Sequence, residues 1–173
     1  DRENFAPGKP LAPHTQERTF MGYRRPGGRG VGTRNFIVVL GTSSRTTGFA
    51  RQLAALTHKI AASHDHIDGV VAVAHTEGGS RSEPNNRALL LRTLAGFMVH
   101  PNVGAVLAVD YGSEAINNES LRAYMEENGY ALNAVPHRFM RIERDFVDQL
   151  ETAEAQIRAW FPVVDANERT AES

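Results

Sequence analysis

Phe36-Ile37-Val38-Val39-Leu40-Gly41-Thr42-Ser43-Ser44-Arg45-Thr46 is the stretch that decides the fold. Five apolar residues, most of them β-branched or aromatic, run without interruption and then stop at a glycine and a row of hydroxyls. An uninterrupted run of this length fits a strand covered on both faces, since a strand with one wet face would alternate. Helical spacing follows, with Phe49, Leu53, Leu56 and Ile60 recurring on one side. The unit therefore reads as strand, polar loop, helix.

The same unit recurs along the chain. Val70-Val71-Ala72-Val73-Ala74 predicts a second strand. Asn85 or Asn86 is placed to cap a helix with Leu89, Leu90, Leu94 and Met98 on its inner side. Val103 to Val109 predicts a third strand. Asn118 or Ser120 then caps a helix through Leu121, Tyr124 and Met125, which Gly129 stops. Tyr130 to Val135 reads as a weaker fourth strand, and Asp145 caps a last amphipathic helix carrying Phe146, Leu150, Ala153, Ile157 and Trp160, ended by Pro162. Strands alternating with helices predict an α/β fold, a doubly wound, mainly parallel sheet of about four or five strands with flanking helices. Residues 1–18, punctuated by prolines, read as an extended linker or arm; 19–164 as a single α/β domain; 165–173 as a polar tail. The opening Asp1-Arg2-Glu3, with no initiating Met, reads as a domain processed or excised from a longer chain.

Composition narrows the function classes. The 173 residues carry 19 basic and 20 acidic side chains, net charge -1, which leaves no electrostatic footprint for nucleic acid. No apolar run approaches the roughly 18 residues of a membrane span, so neither nucleic acid nor membrane is an expected partner. The absence of cysteine rules out disulfides, iron–sulfur clusters and thiolate metal sites in the chain.

In an open parallel sheet, ligands bind beyond the carboxyl ends of the strands. Three loops are placed there: Gly41 to Thr46, His75 to Pro84, and Tyr111 to Asn118, with Pro136 to Asp145 as a weaker fourth. Thr42, Ser43, Ser44 and Arg45 stand before a helix, where hydroxyls and a guanidinium suit a carboxylate or phosphate; plain helix capping by Ser44 or Thr46 accounts for the same residue types. His75 and Glu77 suit a base or a hard metal, although two ligands do not make a metal site and a surface loop explains them as well. Asp110, Ser113 and Glu114 suit acid–base work or sugar hydroxyls, and equally turn chemistry around Gly112. His64-Asp65-His66 and His100-Pro101 precede strands and read as solvated turns at the opposite edge. The glycine cluster from Gly27 to Gly32 also precedes its strand, whereas a phosphate-cradling loop follows one, so no nucleotide fingerprint is read there.

Several phrases occur together in a known order. Thr19-Phe20-Met21-Gly22-Tyr23-Arg24-Arg25-Pro26 is followed by Gly32-Thr33-Arg34-Asn35-Phe36-Ile37. Then come Asp68-Gly69-Val70-Val71-Ala72 with His75, and Arg92-Thr93-Leu94-Ala95-Gly96-Phe97 with His100-Pro101-Asn102. From Glu17 to Asn118 the chain resembles the altronate/galactarate dehydratase family. The resemblance implies a middle α/β segment of a multi-domain enzyme that dehydrates sugar acids to 2-keto-3-deoxy acids with a divalent metal such as iron. It also implies other domains of a parent chain as partners; a cytoplasmic location is expected, and a homo-oligomer is one possible assembly. Family members carry a cysteine in the loop after each of the first three strands; here Arg45, Gly79 and Ser113 take those places, and the glycine-rich turn is one residue longer. A guanidinium repels a metal and glycine has no side chain, so no cofactor is expected in this domain. The expectation is a sugar-acid-binding domain, with Thr42, Ser43, Ser44, Arg45, His75, Glu77, Ser113 and Glu114 around the ligand, inactive in isolation. The alternatives are a non-catalytic binding or oligomerisation module, and an independent hydrolase or lyase using His75 and Glu77.

Overall fold

Four strands form the parallel sheet predicted from the apolar runs. In the computed structural model, which describes residues 6, 8–13, 15–143 and 145–173, the elements follow in the order β1 (Phe20–Arg24), β2 (Val31–Gly32), β3 (Phe36–Gly41), α1 (Thr47–Ala61), β4 (Gly69–Val73), α2 (Arg87–Val99), β5 (Val103–Asp110), α3 (Asn118–Glu127), β6 (His137–Arg141), α4 (Phe146–Asp165) and β7 (Thr170–Glu172). The parallel sheet has the order β4-β3-β5-β6. Every residue of β5 is buried, as its continuous apolar run requires. α1 and α4 cover one face through Phe49, Leu53, Ile157 and Phe161; α2 and α3 cover the other through Leu91, Met98, Leu121 and Met125. The winding direction reverses between β3 and β5, so their carboxyl ends flank a topological switch point.

A second, antiparallel sheet, β2-β1-β7, lies outside the expected architecture. Thr170–Glu172, within the stretch read as a polar tail, pairs with β1 because Glu172 is buried and takes an ion pair from Arg24. Described residues of the arm before Gln16 carry no helix or strand; Asp1–Phe5, Pro7 and His14 of that arm lie outside the described residues.

Several expectations need correction. Tyr130 to Val135 is not a strand: it holds a 3-10 turn at Leu132–Ala134, and the fourth parallel strand is His137–Arg141, inside the segment read as a loop. Edge position explains the error, since an edge strand tolerates the charged Arg138 and Arg141 that hide it. On α1, Leu56 is exposed, and on α2 Leu89 is exposed while Leu91 and Ala95 are buried. The N-cap of α3 is Asn117, whose side chain accepts from the Ser120 amide while the Ser120 hydroxyl accepts from the Asn117 amide. Asp145 does cap α4, accepting from the Val147 amide at 2.8 Å. Pro162 lies within α4 and does not end it; the helix runs on to Asp165, where Val164 is buried and Asp165 accepts from the His66 amide.

The glycine-rich turn between β1 and β3 seats arginines. Arg29 donates to the carbonyls of Val99, His100, Val103 and Ala134 at 2.7–3.3 Å, taking up free carbonyls where α2 ends. Gly32 is pressed against the Pro101 carbonyl so closely that a Cβ would collide with backbone. Arg25, buried, donates to Pro101 O, Arg34 O and Asn35 Oδ1. Burial holds the Arg25 guanidinium below its ordinary value and brings Arg29 down to about 10, with Arg25's own charge as a further cause for Arg29.

Candidate functional site

The three loops at the carboxyl ends of β3, β4 and β5 meet. After β3 the chain enters a 3-10 turn, Ser44–Thr46, before α1. The Ser44 amide donates to Glu77 O at 2.8 Å and the Thr47 hydroxyl donates to His75 O at 3.1 Å, which ties the first loop to the second. The Ala115 amide donates to Ser80 O at 2.9 Å, which ties the second to the third. Arg45 closes the set: Nη1 donates to Ser113 Oγ at 2.8 Å, and its Cζ lies 5.1 Å from the centre of the Tyr111 ring. Gly79 packs so tightly on Ser44 and Arg45 that a Cβ there would strike the Ser44 hydroxyl. Arg45, Gly79 and Ser113, at the three places where the family resemblance implies thiols, are therefore spatial neighbours.

Not every candidate faces outward. Thr42 and Ser43 are fully buried. Thr42 Oγ1 donates to Val109 O at 3.1 Å, and Ser43 Oγ donates to Glu114 Oε1 at 3.0 Å. The expectation that these two hydroxyls donate to a ligand gives way to an internal role, lacing β3 to β5 and to the third loop. Glu114, also buried, accepts from the Tyr111 amide through the same Oε1 at 3.1 Å, while its Oε2 has no hydrogen-bond partner. Neither Ser44 nor Thr46 caps α1 with its side chain; the Thr46 hydroxyl donates to Ser43 O. At the rim stand Arg45, Ser113 and Glu77, all exposed, with Ser44 and His75 half-buried. His75 Nδ1 accepts from the Glu77 amide at 3.2 Å, and its Nε2 is buried without a partner. The rim thus offers one fixed cation, hydroxyls and an imidazole.

Asp110, the last residue of β5, is fully buried; Oδ2 accepts from the Asn118 amide at 2.8 Å. Desolvation pushes its carboxyl above the ordinary range, against the opposing pull of the Asn118 hydrogen bond and the Arg141 charge. Arg141 and Asn118 were not among the candidates, because Arg141 belongs to the strand that the sequence hides and Asn118 reads as a helix cap.

The opposite edge behaves as its sequence position implies. His64-Asp65-His66 is a turn with Asp65 exposed, and it also holds the end of α4: His64 Nδ1 stands 3.2 Å from Asp165 Oδ2, and the His66 amide donates to Asp165 Oδ1 at 2.9 Å. His100 Nδ1 accepts from the Asn102 amide within its own turn.

The donor chemistry at the three-loop junction does not fit a metal. A guanidinium occupies it, Gly79 offers no ligand, and the Ser113 hydroxyl already accepts from Arg45. Among the described residues no group of three or more His, Cys, Asp or Glu could hold a metal ion, and no helix is long and apolar enough to cross a membrane.

Comparison with known proteins agrees with the resemblance. Residues 22–165 match the family model described as D-galactarate dehydratase/Altronate hydrolase, second domain. The altronate dehydratase of Escherichia coli is 34% identical over 120 residues, which is 69% of this chain and 23% of that protein. The beta subunit of (2R)-sulfolactate sulfo-lyase from Chromohalobacter salexigens is 35% identical over 92 residues, 53% of this chain and 21% of that one. The chain therefore matches less than a quarter of the length of either relative.

Proposed function

The chain belongs to the D-galactarate dehydratase/altronate hydrolase family, as its second domain, and from that premise we propose that it binds the carboxylate of a sugar acid at the three-loop rim and is inactive alone. The observation that carries this reading is Arg45, an exposed cation held by Ser113 and Tyr111 at the switch point. A guanidinium fixed by neighbours and open to solvent pairs well with a carboxylate. Ser44, His75, Glu77 and Ser113 would contact the ligand's hydroxyls, while Thr42, Ser43 and Glu114 hold the loops from behind. In a parent enzyme the reaction would be water elimination. A base takes the proton α to the carboxylate, electrons form the new C=C bond, and hydroxide leaves the neighbouring carbon with help from an acid or a metal. This domain would supply neither the metal nor its ligands. Its partners would be other domains of a parent chain, in the cytoplasm.

Calorimetry of the chain with galactarate and altronate tests the reading. Binding is expected, and Arg45→Ala should weaken it by about 1.5–3 kcal/mol, the range for hydrogen bonds to charged groups. Unchanged affinity in Arg45→Ala would remove this residue from the site. Bound iron together with turnover of an aldarate by the isolated chain would overturn the inactive-domain reading.

A second reading, an assembly module, has its own observation. Beside the open edge of β4, Val71 and Val73 of that strand, Phe36 of β3 and Phe97 of α2 line an apolar groove of about 190 Å³. Phe97 is 38% exposed there. Dimerisation seen by sedimentation and lost in Phe97→Glu, with no heat from either sugar acid, would favour that reading.

A further inference from the structure

One strand away from Arg45, beyond β5 and β6, lies an open cavity of about 300 Å³, at the lower end of the size range for small-molecule pockets. Its inner wall is made by Asp110 and by Asn118 at the start of α3. Asp110 is fully buried and Asn118 is 8% exposed. Each commits part of its side chain internally: Asp110 Oδ2 accepts from the Asn118 amide, and Asn118 Nδ2 donates to Met140 O at 3.0 Å. The remaining oxygen of each, Asp110 Oδ1 and Asn118 Oδ1, is buried with no hydrogen-bond partner. Two acceptors are thus removed from water beside a cavity, with no donor supplied by the described residues.

Two arginines, Arg141 and Arg122, stand on the outer side together with the carboxylates of Glu119 and Glu143. Arg141 Nε is 3.7 Å from Asp110 Oδ1, too far for a hydrogen bond, and its Nη1 is 3.9 Å from Glu143. The guanidinium lies over Gly112, whose φ of +77° and missing Cβ leave it the room. Arg122, one turn along α3 from Asn118, lies 4.6 Å over the Phe139 ring. A bare metal cation would satisfy the acceptors but be repelled by the guanidinium groups. A bare phosphate, with its higher charge, would suit the guanidinium groups and be repelled by Asp110, Glu119 and Glu143. A single molecule satisfies both when it carries an anionic group next to a hydrogen-bond donor.

We infer that this cavity is a second ligand site, which takes a small carboxylate bearing a hydroxyl on the adjacent carbon: the acid group lies between Arg141 and Arg122, and the hydroxyl donates its one proton to Asp110 Oδ1. The site uses none of the Arg45 cluster and stands independently of the function proposed for it.

Tartrate and succinate, alike in length and charge and differing only in hydroxyls, are the probes. In amide NMR titrations of the whole chain, tartrate should produce saturable shifts at Asp110, Gly112, Asn118 and Arg141, and succinate should bind at least tenfold more weakly. Arg122→Ala and Arg141→Gln should each weaken tartrate at least tenfold, Arg122→Ala, a change at an exposed side chain, without changing the melting temperature, whereas Arg45→Ala should leave tartrate affinity in this cavity unchanged. Equal affinity for the two acids would overturn the assignment, as would shifts confined to Ser44, Gly79 and Ser113, or no saturable shift at all.

Discussion

The two ends of the parallel sheet are finished differently. At the amino end the polar side chains are saturated. Arg29 reaches four backbone carbonyls, and Asn35 Nδ2 donates to His66 O and Val164 O while Oδ1 accepts from Arg25. Asp68 accepts from the Asn35 amide at 2.7 Å and pairs with Arg34 and Arg169. At the carboxyl end the buried groups are left short: His75 Nε2, Asp110 Oδ1, Glu114 Oε2 and Asn118 Oδ1 have no hydrogen-bond partner. The fifth such atom among the described residues, Arg87 Nε, faces Glu83 at 3.2 Å. Unpaired buried polar atoms destabilise a fold, so their concentration at one end supports the proposal that this end binds the ligand, while the saturated end ties the domain together.

Substitutions should separate the two ends. The largest effect is expected at Arg29: Arg29→Ala removes the donors to the Val99, His100, Val103 and Ala134 carbonyls and should lower stability by about 3 kcal/mol in urea denaturation. A loss below about 0.5 kcal/mol, the scale of an ordinary surface change, would break the comparison. Next comes Arg45→Ala, whose cost should fall on acid binding, while its stability stays within about 0.5 kcal/mol of the parent chain.

A smaller, pH-dependent effect is expected at Asp110. Its folded pKa is raised by desolvation, so its favourable contribution is complete below the unfolded pKa and is lost as pH rises through the folded value. Asp110→Asn should therefore raise the melting temperature at pH 8 and converge with the parent chain in acid. An equal difference at both pH values would contradict that origin. Asp165 provides the opposite sign at the amino end. The His66 amide, and then His64, hold its carboxyl below the ordinary range. Asp165→Asn should cost a little stability at neutral pH, and the cost should vanish as pH falls through the folded pKa. A loss that persists in strong acid would show that packing, not charge, ties α4 to this edge.

Legibility in the sequence followed burial. β3 and β5 were readable because they lie at the sheet centre, where both faces demand apolar residues, and β4, although an edge strand, keeps the apolar run Val70-Val71-Ala72-Val73. β6 was hidden because an edge strand accommodates Arg138 and Arg141, and with it went Arg141's place beside Asp110. Helices were legible as helices, but the phase of α2 was not, since Arg87-Ala88-Leu89-Leu90-Leu91 offers apolar residues on several sides and only packing selects Leu91. Topology sufficed to point at the loops after the strands. The pairing of Arg45 with Ser113, and the retreat of Thr42 and Ser43 into the interior, depend on loop conformations that residue types do not encode. The glycine-rich turn precedes its strand, and its work of seating Arg29 rests on carbonyls distant in sequence.

The division between a structural and a binding end is tested most directly by mapping galactarate onto the backbone amides of the whole chain by NMR. Shifts should gather at residues 44–46, 77–80 and 111–114, and at Asn118 and Arg141 beside the second cavity, and leave Arg25, Arg29, Asn35 and Asp68 unmoved. Saturable shifts centred on those four amino-end residues, with the carboxyl-end loops silent, would contradict it.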